Sequence, residues 1–74
     1  MSYFNYHATA KRLINQNKLI GFYFCNEHND ISPALVLVFD SPSHKLMPIR
    51  KEKFLEYLAL LEEKGLLDKE ITLY

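Results

Sequence analysis

Glycine is nearly missing from this 74-residue chain, which holds only Gly21 and Gly65. A loop that cradles phosphate needs several glycines so that backbone N–H groups can close on the anion. A nucleotide-binding loop of that kind is therefore excluded, and no glycine is placed to build an oxyanion hole. Cysteine is scarcer still. Cys25 is alone, so the chain forms no internal disulfide. The lack of a disulfide framework fits a reducing compartment. Long apolar runs are missing too. The longest, residues 34–39, is far too short to cross a bilayer, and no basic segment followed by an apolar stretch opens the chain. The expectation is a cytoplasmic protein with neither signal peptide nor membrane span.

Charge of one sign is not in excess, since 9 Lys and Arg balance 9 Asp and Glu. A dedicated duplex-DNA binder draws its non-specific affinity from phosphate neutralisation and carries a basic surplus. Overall balance disfavours that class, but the charges are segregated. Lys11, Arg12 and Lys18 have no acid among residues 1–18, whereas Glu52, Glu56, Glu62, Glu63, Asp68 and Glu70 dominate residues 52–70. Solvated helix faces account for such a pattern without any ligand.

What is abundant is apolar and aromatic surface. A domain of this size buries about 60% of the surface its unfolded chain exposes. Aromatics make up 14% of the residues, all Tyr and Phe, so some rings are expected at the surface, where Tyr favours interfaces.

The chain reads as one domain, residues 1–74, of consecutive elements with short joints. Residues 6–17 read as a helix capped by Asn5, with Tyr6, Ala10, Leu13 and Ile14 in one stripe. Residues 19–26 read as a strand. Strict alternation puts Ile20, Phe22 and Phe24 on one face and Leu19, Gly21, Tyr23 and Cys25 on the other. Gly21 inside it marks a bulge or a close approach by the helix. Glu27, His28, Asn29 and Asp30 form a turn, and Ser32-Pro33 opens a second strand over 34–40, apolar on both faces through residue 39. Residues 45–49 suit a short edge strand because of Pro48. Residues 51–64 are the clearest helix, with Phe54, Tyr57, Leu58 and Leu61 in register, Gly65 as its cap, and Leu66 and Leu67 folding back. No side-chain cap precedes it. The tail over 71–74 reads either as a fourth strand or as an unstructured end. The fold class is α+β: a small antiparallel sheet of three to four strands with two helices, in the order α-β-β-(β)-α-(β).

Sites are sparse. Cys25-x2-His28 has a metal-like gap, but structural zinc needs a second ligand pair, and only Asp40 and His44 in another turn are available. A buried thiol beside an exposed turn histidine explains the spacing. Ser41 and Ser43 near His44 lack a triad's other parts. Glu62 and Glu63 point about 100° apart on a helix and cannot share a site. No catalytic residue, cofactor or metal is expected, and the chain reads as a non-enzyme. His44, Lys45, Arg50, Lys51 and Lys53 surround a helix start. Arg50, Lys51 and His44 are candidates for contact with an anion or partner. Tyr3, Phe4 and Tyr6 beside Lys11 and Arg12 offer rings for base stacking, though an aromatic N-terminus more often packs on the domain.

The preferred reading is a small non-enzymatic protein-interaction domain that self-associates as a homodimer. Tyr23, Cys25, Val36 and Val38 are its candidate interface, on the sheet face that two short helices cannot cover. Chain ends folding over that face are the competing explanation. The alternative function is a small nucleic-acid-associated regulator using basic clusters at 11–18 and 44–53, with weak, salt-sensitive binding.

Overall fold

The computed structural model describes residues 5–72. The first helix, α1, runs Tyr6–Asn15, and Asn5 caps it by accepting from the Ala8 N–H at 3.0 Å. Its exit is a Schellman motif. Asn17 adopts a left-handed φ of 62°, with Asn17 N–H bonded to Ile14 O and Lys18 N–H to Leu13 O. This turn ends the helix two residues earlier than periodicity suggested and delivers the chain directly into β1, Leu19–Cys25.

The turn after β1 closes tightly, with His28 and Ile31 exchanging both backbone bonds around Asn29, whose φ is 55°. Asparagine suits that left-handed position. Strand β2 is Ala34–Phe39 and β3 is Leu46–Arg50, so the third strand exists. The sheet is an antiparallel meander ordered β1-β2-β3. A 3-10 turn, Lys51–Lys53, then leads into α2, Phe54–Glu63. The N-terminal turn expected to be α-helical is thus tighter, consistent with its polar residues and missing side-chain cap. Gly65, with φ of 72°, closes α2 in a second Schellman motif, through Gly65 N–H to Glu62 O and Leu66 N–H to Leu61 O. Of the two leucines expected to fold back, Leu66 is buried and Leu67 is exposed.

Both helices pack on one face of the sheet. Ala10, Leu13 and Ile14 of α1 and Tyr57 and Leu61 of α2 join Leu35, Leu37, Phe39, Met47, Ile49 and Phe22 in a single core. One expectation fails within β1. The pairing skips between Leu19 and Gly21, so Ile20 is an extra, bulged residue. Leu19 enters the core and Ile20 leaves it, the reverse of strict alternation.

Gly21 marks a close approach as well as a bulge, but the approaching segment is the C-terminal one. A Cβ at Gly21 would lie 2.8 Å from Lys69 O and 2.8 Å from Ile71 Cδ1. After a 3-10 turn, Leu67–Lys69, the chain runs along β1, making a parallel bridge from Glu70 to Phe22 and a 2.7 Å bond from Ile71 N–H to Phe22 O. Among the described residues this contact is a single bridge. The tail beyond residue 72, like Tyr3 and Phe4, lies outside the described residues.

Candidate functional site

The sheet has two outer edges, and both are blocked near their middles. On β1 the Phe22 carbonyl already accepts from Ile71. On β3 Pro48 has no N–H, and its carbonyl accepts from the Tyr6 hydroxyl at 2.8 Å. Addition of a foreign strand needs free donors and acceptors in a row. The available surface is therefore the second sheet face.

That face is built from the alternate residues of each strand: Tyr23 opposite Val36 and Pro48, Cys25 opposite Ala34 and Arg50, and Gly21 opposite Val38 and Leu46. Its centre is closed, since Val36 and Ala34 are both 0% exposed. Of the sequence-derived interface candidates, Val36 thus presents no surface of its own, while Tyr23, Cys25 and Val38 are half-buried. The open part lies at the β2–β3 end. There the bulged Ile20, 56% exposed, and Leu46, 47% exposed, flank Val38. With Pro42, Asp40 and Lys45 they line a shallow concavity of about 610 Å³. Ile71 lies beside Gly21 and is exposed. Leu55 is more exposed, at 82%, but stands about 160° around α2 from the buried Tyr57 and is a single residue. Isolated exposed leucines are ordinary, whereas adjoining ones mark contact surfaces.

A second concavity, about 500 Å³, opens at the β3 edge between the start of α1 and the β1–β2 turn. Tyr6, His7, Asn29, Ile31, Pro48 and Arg50 line it. His7 is held from beneath by a 2.8 Å hydrogen bond between its Nδ1 and the Tyr57 hydroxyl. Burial pushes the Tyr57 hydroxyl up from 10.0 to about 12, aided by the negative charge of Glu56. Burial likewise pushes Tyr6 up to about 12. Glu56 ties α1 to α2 by pairing with Lys11, and the bond from Lys11 holds its carboxyl below the ordinary value. The Lys11 ammonium also sits 5.8 Å from the Tyr57 ring centre. The described lining of this concavity offers an imidazole from His7, a guanidinium from Arg50 and the hydroxyl of Tyr6.

A pH dependence follows from the two tyrosines. Their folded pKa values lie above the unfolded value, so the fold favours the protonated hydroxyls. That contribution is complete below pH 10.0 and is lost as pH rises toward about 12. The denaturation midpoint is expected to fall across that window. Tyr57→Phe should remove part of the fall, which urea titrations at stepped pH would measure.

The basic candidates are not gathered into one place. His44 lies in the β2–β3 connection, whereas Arg50 and Lys51 stand at the far end of β3. Lys45 and Arg50 are five strand steps apart, or about 17 Å. Lys53 pairs with Glu56 at 3.4 Å, and Lys11 is committed to the same carboxylate. Cys25 bonds weakly to Glu27 O at 3.5 Å. Among the described residues no three His, Cys, Asp or Glu side chains converge as a metal site would require, and no helix is long and apolar enough to cross a membrane.

Two features escaped the sequence. The His7–Tyr57 pair spans fifty positions, a separation that no local pattern reports. The exposure of Ile20 depends on the bulge, for which Gly21 was the only signal. Comparison with protein-family models, curated proteins and solved structures gives no match.

Proposed function

We propose that this chain is a non-enzymatic protein-interaction domain that self-associates through the second face of its sheet. The observation that carries the reading is the adjoining exposure of Ile20, Val38 and Leu46 on a face that neither helix covers. The blocked edges favour a face-to-face contact over strand addition. Burying apolar surface gains about 25 cal/mol per Å². That gain matters to a domain with only a few kcal/mol in hand. A two-fold partner would cover the patch with the same patch.

The basic residues of 44–51 divide between two ends of the sheet and give a nucleic-acid backbone no continuous track there, so the protein-partner reading is preferred.

The test is substitution within the patch. Ile20→Ala and Leu46→Ala should each weaken self-association about tenfold, or about 1.4 kcal/mol. Both side chains are already exposed in the single chain, so the folded monomer should keep its stability. Leu55→Ala, on the opposite side, should leave association unchanged. Sedimentation velocity across a concentration series would read all three. Equal association constants for the Ile20, Leu46 and Leu55 variants would sink the proposal.

A further inference from the structure

We infer that the self-association surface is orientation-specific: Asp40 of one copy pairs with Lys45 of the other, and Lys45 with Asp40, around the Ile20–Val38–Leu46 patch. This inference rests on the self-association reading above and adds the geometry of the contact and the residues that select the partner.

The patch has one acid and one base on its lining. Asp40 follows β2 directly, and Lys45 precedes β3 directly, so the two stand at opposite roots of the same connection. Their backbones are fixed. Phe39 N–H bonds to Lys45 O at 2.8 Å, and Asp40 N–H bonds to Lys18 O at 2.8 Å. Both residues are exposed, and neither belongs to an ion pair among the described residues. Asp40 and Lys45 thus line an apolar concavity with opposite charges, neither held in an ion pair among the described residues.

A two-fold contact is isologous: where residue i touches residue j of the partner, j also touches i. A patch bearing charges of one sign would therefore repel its own copy. A patch bearing one of each sign is complementary to itself. Placing Ile20, Val38 and Leu46 against their counterparts and turning the partner so that Asp40 meets Lys45 satisfies both charges twice. The same rim pairs would penalise rotated arrangements, because those set Lys45 against Lys45 or Asp40 against Asp40. Rim charges contribute orientation and partner choice more than affinity. The apolar centre supplies the attraction and the rim supplies the register. A second copy of this chain meets both conditions.

The experiment exchanges the charges. Asp40→Lys leaves Lys at 40 and 45, so its homodimer sets like charges together at two places. Lys45→Asp leaves Asp at both positions and does the same with the opposite sign. Each variant alone should self-associate at least about tenfold more weakly than the unmodified chain, because like-charge juxtaposition is costly at an interface. An equimolar mixture should recover association near the unmodified level as a heterodimer, since every rim contact is again between opposite charges. Native mass spectrometry of the two variants, one isotope-labelled, reads the hetero and homo species directly. Circular dichroism confirms that both remain folded. Homodimers as tight as the unmodified chain, or a mixture that shows no preference for the hetero species while the unmodified chain dimerises normally, would overturn this pairing and leave the self-association reading standing. A monomeric unmodified chain would overturn both.

Discussion

Tyr57→Ala is expected to cost about 3–5 kcal/mol and to leave the domain largely unfolded at physiological temperature. Tyr57 is 0% exposed and packs in the single core between α1, α2 and the sheet. Truncation removes the ring from contact with several elements at once, and close-packed surroundings collapse only partly into the space. A chain of 74 residues holds roughly 4–11 kcal/mol at 0.05–0.15 kcal/mol per residue. The loss is therefore a large share of the whole. Tyr57→Phe separates the ring from the hydroxyl. It keeps the packing, breaks the bond to His7 Nδ1, and should cost only about 1 kcal/mol. Urea denaturation followed by far-UV circular dichroism measures both. Similar costs for the two variants would mean that the hydroxyl, not the ring, holds the helices together.

Gly21→Ala is expected to destabilise the fold by about 1–2 kcal/mol and to detach the C-terminal segment from β1. Two effects oppose each other here. Alanine restricts the unfolded chain more than glycine does, which favours folding by about 0.4–1 kcal/mol where the backbone tolerates it. Against that, the new Cβ would meet Lys69 O at 2.8 Å. That oxygen is backbone and cannot swing aside as a side-chain end would, so overpacking wins. The relief route is for residues 69–71 to move off the strand, which sacrifices the bond from Ile71 N–H to Phe22 O. Amide exchange should show the Ile71 N–H losing protection while the β2 amides keep theirs. A stabilised Gly21→Ala variant with Ile71 still protected would contradict the close approach.

Much of the architecture was legible because local rules and the tertiary fold agree. Asn5 was readable as a cap, and the Leu13-Ile14 and Tyr57-Leu61 spacings gave the two core-facing stripes. Gly65 gave the exit of α2, and Pro48 identified an edge strand. Three features were not legible, each for a physical reason. The start of the second helix is a 3-10 turn, and the apolar period carries no information where residues 51–53 are polar. The bulge at Ile20 inverts the faces of Leu19 and Ile20, and a period-two pattern cannot register one extra residue. The tail alternates like a strand, and among its described residues it makes a single bridge to β1, from Glu70 to Phe22. The candidate interface was readable as a face but not as a patch. Alternation assigned Val36 and Val38 alike to the second face, and only packing distinguishes the buried Val36 from the half-buried Val38. Ile20 and Leu46, the most exposed members of the patch, were not among the residues the sequence nominated.

Sedimentation equilibrium of the unmodified chain at about 100 µM, well above a micromolar Kd, tests self-association most directly. The expected result is a mass twice the 8.7 kDa of one chain, falling toward 8.7 kDa on dilution. A single ideal species of 8.7 kDa at that concentration would contradict it.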